Sequence, residues 1–454
     1  MIPYTSQNLL SAKIVAIGYW RIAFLASILA SACSCFLRVE ISFLHGQSSE
    51  SVYFSLLTAH GLLFVFLVLV PIGQGYLNWW FPGQTGTWDF IWPRVNMGAL
   101  LGVEWSTAIL LLFWLPGGWN PGWTMYPPLA SFQQGFSIDC IIAGIHALGV
   151  ASGAGSSNAV VSFRLLILPF SRKELSIFVW SQFVAAVLFI GTIPSLALGL
   201  LGILLDRTTS SSWFDPSGGG DPVLYQLLFW FFGHPEVYVV VLPSFGVLSA
   251  SLEANSGLYG KEGLISSVSC LGVLGYLVYA HHMFTVDLEL EVKLLFSSGT
   301  MAIAVPTGVK VYSWMVSVRS GSLDTLQTFL PLLCFLATFI GGGLTGIMLS
   351  SSTADVLLHD TYFVVAHFHQ VMAIAAFLAF TCGVHWLGMM SHGGAIILFT
   401  IATMTIFLPL YGAGLCGIPR RVPSMLYEAS GFLVPGYLGC VLAIMAIILY
   451  LIFL

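Results

Sequence analysis

The sequence predicts an all-α protein, a polytopic bundle of twelve transmembrane helices forming a single membrane domain over residues 1–454. Three observations carry this expectation. Of the residues, 57% are hydrophobic and only 7% charged, with a mean hydropathy of +0.93, whereas soluble domains carry roughly a quarter charged residues. Apolar stretches of about 20 residues, the length that crosses the hydrocarbon core, recur from end to end. Short segments rich in Gly, Pro and charge separate them, and runs this long satisfy their backbone amides as helices rather than strands.

Span one is centred near residue 25, after a polar start, Met1 to Lys13, without a small-residue cleavage site, so it is expected to remain in place. Spans two and three, near 65 and 105, contain His60 and Glu104, with Asn78, Asp89 and Asn96 toward their shared end. Spans four and five lie near 153 and 190, the fourth carrying Ser152 and Asn158. Span six, near 237, holds His234, Glu236 and Tyr238, and span seven, near 272, runs out at His281 and His282. Span eight, near 304, carries Thr307 and Lys310. Spans nine to twelve are centred near 338, 375, 405 and 442, and the tenth contains His367 and His369.

Twelve crossings put both termini on one side. The loops on that side carry Lys13, Arg94, Arg164, Arg172, Lys173, Lys261 and Arg319, with Arg21 near that end of span one. This is the positive-inside pattern. The opposite loops are acidic, with Asp206, Asp215, Asp221, Asp287, Glu289, Glu291, Asp355 and Asp360. Arg207 and Lys293 there read as ordinary solvated charges. Arg38, Arg420 and Arg421 sit at span ends in apolar sequence, where an anionic partner is as good a reading on charge grounds.

The net charge of -5 offers no basic tail, which argues against nucleic acid as a partner. The 8 cysteines are scattered, and the Cys33/Cys35 pair matches no zinc or redox spacing, so they read as packing residues.

Ionisable groups inside a membrane are costly, and six histidines lie in or at the ends of spans: His60, His234, His281, His282, His367 and His369. A lone one reads equally well as a hydrogen-bonded core residue; spacing shifts that balance. Each helical residue turns about 100°, so His367 and His369 face nearly opposite ways and suit two different centres. His234 and Tyr238, four apart, share a face. His281 and His282 reach one ion together only at a bent or frayed helix end. Three imidazoles with an open position suit copper, zinc or iron. His146, His385 and His392 stand apart and read as structural or inner-surface residues.

Several motifs resemble haem-copper oxidase subunit 1 of the mitochondrial cytochrome c oxidase type. They are WFFGHPEVY at Trp230 to Tyr238, AHHMFTV at Ala280 to Val286, PTGVKVYSW at Pro306 to Trp314 and HDTYFVVAHFH at His359 to His369. GWTMYPPLA at Gly122 to Ala130, DPSGGGDPVLYQ at Asp215 to Gln226 and PRR at Pro419 to Arg421 belong to the same pattern.

The resemblance implies a subunit that reduces dioxygen to water, with proton uptake and proton pumping. It implies His60 and His369 as axial ligands of haem a, His367 as the ligand of haem a3, and His234, His281 and His282 as ligands of copper B. Tyr238 would be joined to the first copper histidine and supply an electron and a proton. Arg420 and Arg421 would bind haem propionates beside Trp123, and Arg38 would meet the haem a formyl group. His359 and Asp360 would hold magnesium. Glu40 matches a sodium or calcium ligand, but the following ISFLHGQ departs from the pattern and leaves that site open.

Two proton routes are implied. Asp89, Asn78, Asn96, Ser152 and Asn158 match one that ends at Glu236, a buried carboxyl with no cation beside it in sequence. Ala151-Ser152 replaces the usual paired serines there. Lys310, with Thr307 and Ser249, matches a second route leading to Tyr238, against the plain alternative of a snorkelling lysine. Glu104 has no assigned role.

The implied partners are an oxidase subunit 2 with a dinuclear copper centre, since this chain lacks a suitable cysteine and histidine set, together with subunit 3, accessory subunits and cytochrome c. The implied location is the mitochondrial inner membrane with both termini on the matrix side. A quinol-oxidising relative is the first rival reading, although such relatives usually have extra spans. A nitric oxide reductase would lack Tyr238. An ion-coupled transporter explains Glu236 and Lys310 but not six ordered histidines, and predicts internal repeats that are not found.

Overall fold

The computed structural model describes residues 9–41, 50–112, 121–132, 135–167, 176–320, 326–384, 393–423 and 430–452. Arg172, Lys173, His385, His392 and the stretch that follows Ile41 lie outside them. Among the described residues the secondary structure is helical, with one isolated antiparallel bridge, Thr361 to Pro419, and no strand.

All twelve expected positions are helical. They are α1 (Leu9–Val39), α2 (Glu50–Thr85), α3 (Pro93–Leu112), α4 (Phe136–Ile167), α5 (Ile177–Thr208) and α6 (Pro222–Ser256). Then follow α7 (Lys261–Leu277), α8 (Leu290–Arg319), α9 (Leu326–Leu349), α10 (Tyr362–Val384), α11 (Gly393–Leu415) and α12 (Ser430–Ile452). Among the described residues ten are long and apolar enough to cross a membrane; the others are α3, which carries Arg94, Asn96 and Glu104, and α7, 17 residues long.

The polarity is inverted relative to a water-soluble protein. Val150 is 76% exposed and Trp105 73%, while Glu236 is 2% exposed and Lys310 fully buried. Apolar side chains on the outside and ionisable ones inside are what a hydrocarbon surrounding selects.

The helices are not uniform, and their irregularities fall at the histidines. In α2 the turns widen to a π-helix over Leu63–Leu69, just after His60. In α10 the same happens over His369–Ile374. Such single-turn widenings concentrate at functional sites because they displace one side chain from the regular 100° progression. Beyond α7, Tyr279–Met283 forms a tight 3₁₀ turn that contains both His281 and His282. Helix α8 breaks at Ile303, three residues before Pro306, whose ring nitrogen cannot donate to the carbonyl of Ala302.

The chain packs as two units. One comprises Met1–Ser34 with Ser49–Val239, the other Cys35–Ser48 with Val240–Leu454. In the first, α4 lies against α3 and α5. Helices α4 and α5 are also tied by Arg207, whose side chain is only 7% exposed and reaches the Asp139 carboxylate and the carbonyls of Ala130 and Gly135. Arg207 is therefore not the solvated loop charge expected from sequence: three acceptors from separate segments converge on its planar fork and withdraw it from solvent. Glu104 acquires a partner too, pairing with Arg21 between α1 and α3. His146 sits between the carbonyls of Ile142 and Ala197, joining α4 to α5, a structural position.

In the second unit, α11 packs along α12 and against α10, and α9 lies against α10 and α11. The GGGLTG run of α9 permits close approach: a Cβ on Gly342 would lie 2.7 Å from a Val371 methyl. All eight cysteines are free.

Candidate functional site

Four of the six histidines share one local arrangement. His60 Nδ1 lies 3.0 Å from the carbonyl of Ala30, and His369 Nδ1 2.8 Å from that of Val365. His367 Nδ1 lies 2.9 Å from the carbonyl of Gly342. His281 Nδ1 is 3.0 Å from the hydroxyl of Thr300, which donates its own proton to the carbonyl of Phe296 at 2.6 Å and so only accepts from the ring. Each Nδ1 is thereby the protonated nitrogen, and each Nε2 carries the lone pair. This is the orientation that metal-ligating histidines adopt, with the second nitrogen anchored to a carbonyl or hydroxyl.

In the first unit, His234 and Tyr238 stand on one face of α6 with ring centroids 4.7 Å apart at 69°. Both are buried. Glu236 between them is buried with neither carboxyl oxygen hydrogen-bonded among the described residues. Trp123 packs edge-on against Phe229 and Trp230 of α6. A Cβ on Gly61, next to His60, would lie only 3.0 Å from the Cβ of Trp123, so that close approach depends on glycine.

Asn78 and Asn96 are brought together at the shared end of α2 and α3, Asn96 Nδ2 donating to Asn78 Oδ1 at 2.6 Å. Asn158 exchanges two hydrogen bonds with the backbone of Trp92, at 3.1 and 3.0 Å, and so fixes the start of α3. Asp89 accepts from the amide of Phe90. Ser152 lies beside Ala151, whose methyl would meet any Cβ on Gly102 at 2.7 Å, so α3 and α4 approach closely there.

In the second unit, His281 and His282 have ring centroids 4.3 Å apart, made possible by the 3₁₀ turn that ends the α-helical progression before them. His367 and His369 diverge. The first is held toward α9 by Gly342 and by Thr345, whose hydroxyl is 3.1 Å from Nδ1. The second stacks on Phe407 of α11 at 4.5 Å and 19°. The guanidinium of Arg38 lies 5.7 Å from the same Phe407 ring and packs on Gly436 of α12. Gly346 of α9 faces His367: a Cβ there would come within 2.8 Å of the imidazole. Phe407 and Gly346 carry no signal in the sequence that singles them out among 34 phenylalanines and 47 glycines.

Lys310 is enclosed by aromatic rings, its Nζ 5.1 Å from Phe245 and 5.5 Å from Trp314, without a hydrogen-bond partner among the described residues. Ser249 belongs to the same cluster, accepting from the Trp314 indole at 2.9 Å and donating to the Phe245 carbonyl. Thr307 lies one turn before Lys310 on α8.

At the loop before α10, His359 lies 3.5 Å from Asp355 and 3.8 Å from Asp360. Arg420 is bound to the Asp360 carboxylate, and its amide to the Asp360 carbonyl at 2.8 Å. Asp360 and Arg421 both have positive φ, 56° and 64°, a conformation that non-glycine residues adopt only when the surroundings impose it. Partial burial works to raise the Asp360 pKa, but Arg420, His359 and Arg421 together outweigh it and hold the carboxyl below its ordinary value. Glu40, at the end of α1, is fully buried.

Residues 14–450 match the family described as cytochrome C and quinol oxidase polypeptide I. The chain is 33% identical to cytochrome c oxidase subunit 1 of Candida albicans, over 97% of this chain and 86% of that one. It is 34% identical to cytochrome c oxidase subunit 1 of Eremothecium gossypii, again over 97% and 86%. Among solved structures, a heme-copper terminal oxidase dimer is similar at a TM-score of 0.81 and 19% identity, covering 99% of this chain and 84% of that one, a likeness of fold.

Proposed function

The chain belongs to the cytochrome c and quinol oxidase polypeptide I family, and from that premise we propose that it is the catalytic subunit of a cytochrome c oxidase, reducing dioxygen to water. His60 and His369 would hold haem a, His367 haem a3, and His234, His281 and His282 copper B. The residues suit these groups: the anchored Nδ1 atoms leave Nε2 as donor, and Gly346 leaves room beside the His367 ring. When bound, such groups supply one-electron transfers and a coordination position for dioxygen.

The observation that carries the reading is the divergence of His367 and His369. Two residues apart, they are fixed on opposite sides by independent contacts, one by Gly342 and Thr345, the other by Phe407. A single helix then serves two centres, an arrangement that neither a transporter nor a one-centre enzyme requires.

The remaining residues handle protons. Tyr238 carries a phenol one helical turn from His234, placed to give up a proton and an electron near that imidazole. Glu236 is a carboxyl without a fixed partner among the described residues, which lets it take up and release a proton toward either side; the Asp89, Asn78, Asn96, Ser152 and Asn158 set would feed it. Lys310, with Ser249 and Thr307, would feed Tyr238. Its ammonium is stabilised by ring faces rather than a counter-ion, so loss of the proton leaves no unpaired anion behind.

Arg38, Trp123, Arg420 and Arg421 would contact the haem edges, His359 with Asp360 would bind magnesium, and Glu40 would offer a carboxylate to a sodium or calcium ion. We further assign the chain to the mitochondrial inner membrane with termini on the matrix side, in a complex with oxidase subunit 2, subunit 3 and accessory subunits, and cytochrome c as donor through subunit 2. A reduced-minus-oxidised spectrum of the purified complex, with and without carbon monoxide, tests the reading together with copper and iron analysis. Two haem A chromophores, one of them binding carbon monoxide, plus copper are expected; absence of haem or copper would overturn it.

A further inference from the structure

Two of the free cysteines meet where none of the preceding assignments uses them. The end of α1, from Cys35 onward, belongs to the second unit together with α12. Gly436 of α12 marks one contact between them: a Cβ there would lie 3.2 Å from Arg38 Nη1 and 3.7 Å from Arg38 Cδ. About one turn away, the Cys35 and Cys440 thiols are hydrogen-bonded to each other.

Helix geometry makes these two contacts one seam. At 1.5 Å per residue, Cys35 lies about 4.5 Å from Arg38 along α1, and Cys440 about 6 Å from Gly436 along α12. Residues three or four apart share a helix face, so both members of each pair look across the same gap. Gly439 turns another way, since a Cβ on it would lie 2.5 Å from Ile406 and 2.7 Å from the Ala402 carbonyl, both on α11. Cys33, two residues before Cys35 and about 200° round the helix, does not share its face. Packed helix axes are about 8–10 Å apart, and Cα atoms sit about 2.3 Å from each axis. Directly facing Cα atoms therefore approach to about 3.5–5.5 Å, which overlaps the span that a disulfide bridges.

A thiol beside a cation, with a second thiol in reach, is the arrangement that oxidants convert to a disulfide. The Arg38 charge acts on both sulfurs, and it compensates the negative charge that gathers on sulfur during attack. Cys35 is half-buried and Cys440 buried. Phe36, Leu438 and Val441 beside them are exposed on the apolar exterior, so an oxidant dissolved in lipid meets Cys35 first.

We propose that Cys35 and Cys440 form a modification site, a thiol pair that an apolar hydroperoxide carried in the lipid converts to a disulfide joining α1 to α12. The Cys35 sulfur attacks the terminal peroxide oxygen. The O–O bond breaks, the alcohol leaves with the thiol proton, and Cys35 becomes a sulfenic acid. The Cys440 sulfur then attacks that of Cys35; the S–S bond forms, the S–O bond breaks, and water leaves with the Cys440 proton. Two electrons pass from the thiols to the peroxide, and neither haem nor copper takes part.

The test treats the assembled oxidase in its membrane with tert-butyl hydroperoxide, raised until the exposed Cys270 and Cys416 are oxidised. Remaining thiols are blocked with N-ethylmaleimide, and peptic peptides are mapped by mass without reduction. The peptide holding Cys35 should be joined to the one holding Cys440 and released by dithiothreitol. The unreduced subunit should also migrate faster in SDS, because the bond closes most of the chain into one loop. Cys33→Ala should keep the linked peptide. Cys440→Ala should lose it and leave on Cys35 a sulfenic acid that dimedone labels. Oxidation of Cys270 and Cys416 with no Cys35–Cys440 peptide, or with a bond from Cys33 in its place, overturns the inference and returns the pair to packing residues.

Discussion

Replacing Gly346 by alanine is the most informative single perturbation of the proposed site. The added methyl carbon would lie 2.8 Å from His367 Cε1 and 3.5 Å from Nε2. Ordinary contact begins near 3.4 Å, so the ring must recede from α9 by about 0.6 Å in an interior that has no slack to absorb it. The same movement lengthens the 2.9 Å bond to the Gly342 carbonyl toward about 3.5 Å, beyond useful hydrogen-bond range. Overpacking of this kind costs about 1–3 kcal/mol, corresponding to about 5- to 150-fold in any equilibrium that needs the ring in place.

The assay is the carbon monoxide difference spectrum per unit of copper, read beside the haem proposed for His60 and His369. Gly346→Ala should deplete or shift the carbon-monoxide-binding haem while sparing the other. Gly343→Ala on the same helix, where an added Cβ meets nothing within 4 Å, should be silent or slightly stabilising. Full, unshifted carbon monoxide binding in Gly346→Ala would refute both the close approach and the assignment of His367.

Tyr238→Phe should retain haem and copper, because the ring packing against His234 is preserved, yet lose most oxygen reduction in oxygen-electrode assays; wild-type turnover would remove the phenol from the chemistry. Lys310→Met replaces a buried amine among Phe245 and Trp314 with an isosteric apolar chain, so the thermal midpoint should hold or rise. Turnover should fall all the same, and unchanged turnover would return Lys310 to the packing residues. Arg207→Leu strips Asp139 of its partner in a largely buried ion pair and should destabilise the complex by about 3–5 kcal/mol, measured as a lowered unfolding midpoint in detergent. An unmoved midpoint would restore Arg207 to the status of a solvated charge. Glu236→Gln should slow proton uptake without altering the haem spectra; uptake at the native rate, followed with a pH dye, would exclude the carboxyl as a carrier.

The amino-acid sequence by itself determined the class of the molecule and singled out the residues proposed as its ligands. A chain with 7% charged residues has one stable environment, and helices are its way of closing backbone hydrogen bonds there. The rarity of histidine and lysine in such spans made His60, His234, His281, His282, His367, His369 and Lys310 conspicuous. Helical arithmetic also anticipated that His367 and His369 would diverge and that the two adjacent histidines would need a helix end, which the 3₁₀ turn at Tyr279–Met283 supplies.

What only the tertiary structure decided is which ordinary residues hold those histidines in place. Phe407 under His369, Thr300 beside His281 and the Thr345 and Tyr411 hydroxyls behind His367 come from other helices than the histidines they meet, and none is an ionisable type that a buried position in a membrane makes conspicuous at once, as it does histidine or lysine. Arg207 was misread for the same reason: its three acceptors lie 68 to 77 positions away. The cost of burying a charge is visible in one residue, whereas the partners that offset it exist only once the chain has folded around it.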